Sequence, residues 1–341
     1  MLNERRRRVL QALVEEYISS AVPVGSRTLV ERYEMGCSPA TVRNELSILE
    51  ETGYVVQPHV SAGRMPTDTG YRSFVDDLLE HEEPSQAPGE LSAASHGHAL
   101  EVDEVMRETS AALTRLTNCI AITVAPSVTA ARVKRVDLLS MAPRRALLVL
   151  ITESGQVVNR SLELTHETTP ERLSEVERAL NACVVDKRAD EVRPLSDALD
   201  APGGSVSADD VLLARVVAEI VDALEEADRD RMHHGGVPAL LTQPEFHDAD
   251  RARPLIEFLE DGIAVLEALS EALATRDLTV RIGGENRRAE LGNVSIVASA
   301  YSGGSTDGVV GVVGPTRMDY GRVIGAVRAA AQGLSETMGQ E

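Results

Sequence analysis

Apolar positions recur at a helical period from the first turns of the chain. Val9, Leu10, Leu13, Val14, Tyr17 and Ile18 share one face, which predicts a helix over 4–20. Pro23 and Gly25 close it, Ser26 can cap a short second helix over 27–33, and Gly36 suits the tight turn of 34–37. Ser38 followed by Pro39 is a strong helix start, and Gly53 is a stop, for a third helix over 39–52. Weak alternation over 54–59, a turn at Ser61-Ala62-Gly63 and the returning Arg64-Met65-Pro66 predict a strand hairpin. Thr67 then caps a helix over 68–79.

The Pro-, Ser-, Ala- and Gly-rich stretch 81–99 predicts a linker. Beyond it the pattern predicts a helix over 100–116 and strands over 119–125, 132–140, 146–152 and 157–164, with Gly155 in a hairpin turn. Helices over 170–183 and 208–227 follow, separated by a loop over 200–207. A long helix over 249–274, strands over 279–282, 294–301 and 309–313, and a final helix over 321–337 complete the chain. The fold class is therefore α+β multidomain.

Two short helices joined by a glycine-containing turn form a helix-turn-helix, and a hairpin directly after the second helix is a wing. At helical spacing Val42, Leu46 and Leu49 point to the core. Ala40, Asn44 and Ser47 fall opposite, flanked by Thr41 and Arg43. That small polar face can approach base edges, with one arginine and one asparagine suited to guanine and adenine. It reads equally well as an ordinary solvated face. Arg64 beside the wing can reach phosphate or the minor groove, and Arg5–Arg8 is either a backbone contact or a solvated basic end.

The net charge of −20 at first opposes nucleic-acid binding. Its distribution removes the objection. Residues 1–73 hold nine arginines and nine acidic residues, so the whole negative excess lies on 74–341, where it repels a polyanion from the body. Lysine is limited to Lys134 and Lys187, which reads as compositional bias. The longest apolar run, 146–151, is far short of the ~20 residues of a membrane helix. Gln11, Glu15 and Glu16 break any signal-peptide core, and a cytoplasmic location is expected. Cys37, Cys119 and Cys183 support neither a disulfide framework nor zinc.

Four stretches carry a resemblance. PVGSRTLVERY (23–33), SPATVRNELSILEETGY (38–54), QPHVSAGRMPTDTGYRSFVD (57–76) and GVVGVVGPTRMDYGRVI (308–324) closely resemble the HrcA family of bacterial heat-inducible transcription repressors. The middle of the chain, about residues 80–300, matches more by layout than by wording. The resemblance implies a winged helix over 1–80, the linker 81–99, a GAF-like domain from 100–129 and 246–341, and a dimerising domain over 130–245 inserted into it. It also implies a homodimer that binds an inverted-repeat operator in double-stranded DNA, represses chaperone operons and is kept active by the GroE-type chaperonin. It lends support to Ser38, Thr41, Arg43 and Asn44 in the reading helix and to Ser61, Gly63 and Arg64 in the wing; Ala40 and Ser47 stand on the helical geometry.

Other chemistry is thin. The pairs Gly235-Gly236, Gly283-Gly284 and Gly303-Gly304 form no phosphate loop and read as turns. His96 and His98 fall in the linker, and His233-His234 in an apparent loop lacks a metal-binding pattern. In GPTRMDY, Asp319 is expected to cap the last helix and Arg317 to pair locally. Neither a catalytic constellation nor a cofactor or metal is expected. A ligand-gated regulator sensing a small molecule through the GAF-like domain is the alternative, and an enzyme with a borrowed winged helix is a third reading.

Overall fold

Asn3 accepts a hydrogen bond from the Arg6 N–H and so opens α1 (Glu4–Ser20). Helices α2 (Ser26–Arg32) and α3 (Pro39–Glu51) follow, then β1 (Val55–Val56), β2 (Met65–Pro66) and α4 (Asp68–His81). The computed structural model describes residues 2–81, 102–153, 155–199, 208–229, 231–303 and 306–338. Val42, Leu46 and Leu49 on α3 are buried with Val9, Leu10 and Leu13 of α1 and Leu29 of α2, as their spacing requires. The strand expected over 54–59 shrinks to two residues: Gln57 bonds within its own loop, and Pro58 has no N–H for a ladder. An isolated antiparallel bridge between Val24 and Arg64 ties the segment before α2 to this small ribbon.

The body is built on a five-stranded antiparallel sheet of order β7-β3-β10-β9-β8, comprising β3 (Ile120–Val124), β7 (Met232–Gly235), β8 (Thr279–Ile282), β9 (Val294–Gly303) and β10 (Thr306–Pro315). Alternation along β3 sends Ile120, Ile122 and Val124 to one face and Ala121 to the other. The first face packs on α10 (Ala249–Glu260) and α11 (Gly262–Thr275), through Leu255, Leu259, Val265 and Leu269. The second packs on α5 (Val102–Thr117) and α12 (Tyr320–Met338), through Met106, Leu113, Ala326 and Ala330. No helix among the described residues is long and apolar enough to cross a membrane.

Between β3 and β7 the chain forms a separate three-stranded antiparallel sheet, β4 (Val133–Ala142), β5 (Arg145–Thr152) and β6 (Val157–Glu163). Helices α6 (Pro170–Val184), α7 (Ala189–Leu199) and α8 (Ala208–Arg229) accompany it, and the unit has its own core of residues such as Val136, Leu148, Leu150, Leu180 and Ile220. The boundary expected at 245 is too late. Residues 232–235 already pair with β3, and Leu240 of α9 (Val237–Leu241) and Phe246 join the core of the five-stranded sheet. His233 and His234 therefore sit in an edge strand, not a loop; four residues with two histidines carry too little alternation to reveal it. The single helix expected over 249–274 is two, because Asp261 leaves helical geometry and its carboxylate accepts from Ala264 N to cap α11. Helix α7, with Pro194 inside it, was not expected. The linker 82–99 with His96 and His98, the loop 200–207 and Gly304 lie outside the described residues.

The first domain and the sheet share one core. Tyr71 on α4 packs against Tyr320 on α12, ring centroids 5.8 Å apart, within a cluster that also holds Val75, Ile282, Val297 and Val327. Polar contacts seal the rim. The Asp68 carboxylate accepts from Gly284 N at 2.8 Å, and Arg72 donates to Val280 O at 2.6 Å and to Glu285 at 2.8 Å. Gly283 has φ +49° and no room for a Cβ beside the Asp68 carboxylate, so only glycine fits this crossing. GPTRMDY belongs to the same seam. Asp319 accepts from Arg322 N as expected, but Arg317 pairs with Glu245 at 2.7 Å and donates to Ile18 O at 2.7 Å, across the seam and not locally.

The two tyrosines of the seam differ in one respect. Tyr320 Oη is 2.7 Å from Ser295 Oγ and donates to Thr316 O at 2.8 Å, whereas Tyr71 Oη is buried without a partner among the described residues. Tyr320→Phe is expected to cost about 1–3 kcal/mol, while Tyr71→Phe is near neutral or stabilising. Urea unfolding midpoints check this, and equal losses for the two would contradict it.

Candidate nucleic-acid interface

Helix α3 begins with a closed cap. Ser38 Oγ accepts from Thr41 N at 3.2 Å and lies 3.0 Å from Thr41 Oγ1, so both side chains are engaged in starting the helix. Ser47 donates back to Arg43 O at 3.1 Å. Ala40, Arg43 and Asn44 are exposed on one face, and the Arg43 and Asn44 side chains have no partner among the described residues. Six of the expected positions (Ser38, Ala40, Thr41, Arg43, Asn44 and Ser47) thus lie along one helix, with an unencumbered arginine and asparagine at its centre. Ser61 is exposed in the loop between β1 and β2.

Gly63 and Arg64 are engaged within the fold. A Cβ on Gly63 would stand 2.4 Å from the carbonyl of Val24, so glycine here allows the wing to lie against the loop before α2. Arg64 turns inward: its side chain bonds Glu50 near the end of α3 at 2.8 Å and is only 16% exposed. Val24 and Arg64 exchange two backbone hydrogen bonds at 2.8 Å. Arg64 holds the β1–β2 hairpin to α3.

A second ion pair holds the other side of α3. Glu45, one of two buried acids among the described residues, accepts from Arg6 of α1 at 2.9 Å. The basic run at the start of α1 is therefore divided. Arg6 serves this clamp, Arg7 pairs with Asp77 at 3.5 Å, Arg8 donates to Glu34 O at 3.1 Å, and Arg5 lies mostly in solvent 3.9 Å from Glu45. The structure adds a residue that sequence reasoning passed over. Arg27, in the first turn of α2, is exposed and has no partner among the described residues. The helix preceding a reading helix crosses the nucleic-acid backbone, and that rule was the signal available for Arg27. An open cleft of about 910 Å³ lies elsewhere, between the three-stranded unit and α11, lined by Arg188, Arg193, Asp228, Arg231 and Ile263.

Comparison with known proteins bears on the whole chain. A family model described as the HrcA protein C-terminal domain matches residues 103–324. The heat-inducible transcription repressor HrcA of Streptomyces albus G is 39% identical over 343 residues, covering all of both chains. The chain belongs to the HrcA family. The Symbiobacterium thermophilum repressor of the same name is 38% identical, with 98% of each chain covered. A crystal structure of a protein described as hypothetical shares the fold of this HrcA-family chain at a TM-score of 0.72, with 26% identity and 99% of each chain covered. The family model falls on the body, where the wording of the motifs was weakest, and the curated relatives extend the match through the first domain.

The two clamps and the exposed face predict opposite effects of substitution on folding. Glu45→Ala strands Arg6 and is expected to destabilise this HrcA-family chain by about 1–3 kcal/mol. Arg43→Ala is expected to stay within about 0.5 kcal/mol of the parent. Denaturant unfolding checks both, and a large loss for Arg43→Ala would mean that it is a structural residue.

Proposed function

We propose that this chain is a homodimeric, sequence-specific DNA-binding repressor of chaperone operons, which reads an inverted repeat with α3 in the major groove. The single observation that supports this best is the pairing of an exposed, unpartnered Arg43 and Asn44 on a helix clamped from both sides. Holding the helix rigid removes the ordering cost of reading, and small neighbours such as Ala40 let the backbone come close. Arg27 supplies a phosphate contact from α2. The relatives' name, heat-inducible transcription repressor, and their full-length identity support the regulatory role. Maintenance by a GroE-type chaperonin rests on the family resemblance, as does the label GAF-like for the five-stranded unit.

A palindromic site calls for two reading helices about 34 Å apart or a multiple of that spacing, and so for a dimer. The three-stranded sheet offers the face. One side of it packs on its own helices, whereas the other carries the cross-strand rows Leu139–Leu147–Ser161 and Arg135–Ile151–Val157, with Leu139 and Val157 about half exposed. A second copy of this sheet is the occupant we assign to it. Leu139→Asp is expected to give a folded monomer at micromolar concentration in sedimentation equilibrium, and a persisting dimer would place the interface elsewhere.

The reading helix is tested by titration against the repeat and a scrambled duplex over a range of salt. Arg43→Ala is expected to lose about 1–3 kcal/mol on the repeat and much less on the scrambled duplex. Arg27→Ala is expected to weaken both alike and to lower the salt slope by about one. Equal losses for Arg43→Ala on both duplexes would remove it from the base readers.

A further inference from the structure

The wing following α3 is braced and carries no arginine or lysine free to reach a phosphate; its one titratable side chain short of Arg64 is His59. Residues 57–63 include neither arginine, lysine, aspartate nor glutamate, and Arg64 is turned back to Glu50. Ala62 N donates to His59 O at 2.9 Å, closing a turn with Val60 and Ser61 at its corners. Gln57 Nε2 bonds Val60 O at 3.0 Å and Ala62 O at 2.8 Å from inside the loop. The base is stitched to Val24 by backbone bonds and by the close approach at Gly63. On this frame the Val60 side chain stands 98% exposed, more than any other large hydrophobic residue described.

The brace presents an apolar side chain to solvent, where it packs against nothing in the free chain. An uncharged tip gains little from the phosphate rails; an apolar one gains by leaving water against sugar and base edges. The wing springs from the end of α3, so with α3 in the major groove its tip reaches the adjoining minor groove. We infer that Val60 enters the minor groove flanking the bases read by α3 and senses its floor. The guanine 2-amino group is the feature that distinguishes G·C from A·T on that floor, and it would stand where the valine methyls lie. The wing is thus a steric selector for A·T pairs, built on the reading proposed above.

The test uses the full-length protein and its Val60→Ala and Gln57→Ala variants on the inverted repeat. Exposure of Val60 makes the alanine variant neutral for folding, which a thermal melt verifies. Val60→Ala is expected to weaken binding about five- to tenfold with an unchanged salt slope, since two methyl groups and no phosphate contact are lost. Wild type is expected to protect flanking adenine N3 atoms from dimethyl sulfate, and both variants to protect them less. Replacing those adenines by 2,6-diaminopurine, which adds the minor-groove amino group, is expected to weaken wild type more than Val60→Ala. Unaltered affinity and adenine protection in Val60→Ala overturn the wing assignment alone. A wild-type protein with no preference for the repeat over a scrambled duplex overturns the DNA-reading proposal, and this inference with it.

Discussion

The apolar seam between α4 and the body sheet is the constraint on which the rest of the structure depends. Tyr71 on one side and Tyr320 on the other occupy a single buried cluster, so neither unit completes its core without the other. Around this contact the polar rim fixes direction as well as proximity. Arg72 grips the Val280 carbonyl and Glu285, Asp68 receives the Gly284 amide, and Arg317 reaches the last turn of α1. Burial opposes ionisation of Glu285, but hydrogen bonds from Arg72 and Ile282 N outweigh it and hold the carboxyl below its ordinary range. The seam therefore sets where α1 stands, and α1 in turn sets α3 through Arg6 and Glu45.

This chain of supports explains a division of labour among the arginines of the first domain. Arg6, Arg64 and Arg72 are internal struts, each with a carboxylate partner, while Arg27 and Arg43 are left free on the outer surface. A segment without net charge, as residues 1–73 are, can still present positive charge to a polyanion when its acids are engaged inward, as Glu45 and Glu50 are. The net charge of the domain thus says less than its arrangement. The negative excess carried by residues 74–341 supplies the complementary effect, since it repels a polyanion from the rest of the chain.

Much of this was legible in the residues. The caps at Ser38 and Asp319, the inward face of Val42, Leu46 and Leu49, and the outward face of Ala40, Asn44 and Ser47 followed from spacing alone. What could not be read were partnerships across the chain. Periodicity shows that Arg64 lies beside a wing, but not that Glu50 will turn it inward, nor that Arg6 will find Glu45 thirty-nine positions away. Edge strand β7 was missed because Met232–Gly235 is short and half polar; it is defined by its pairing with β3. The break at Asp261 needed one carboxylate to prefer a cap over a helix interior, a choice that helical propensity settles only weakly. Arg317 was placed in the right turn and given the wrong partner for the same reason.

A shared core also joins two equilibria that separate domains would keep apart. Because Tyr71 is buried only while α12 is in place, a ligand that holds the first domain folded stabilises the body sheet by thermodynamic linkage, although it touches none of it. Each tenfold excess of such a ligand over its dissociation constant adds about 1.4 kcal/mol to the fold as a whole. The reverse also holds. Any loosening of the body sheet withdraws packing from α4 and, through α1, weakens the hold on α3.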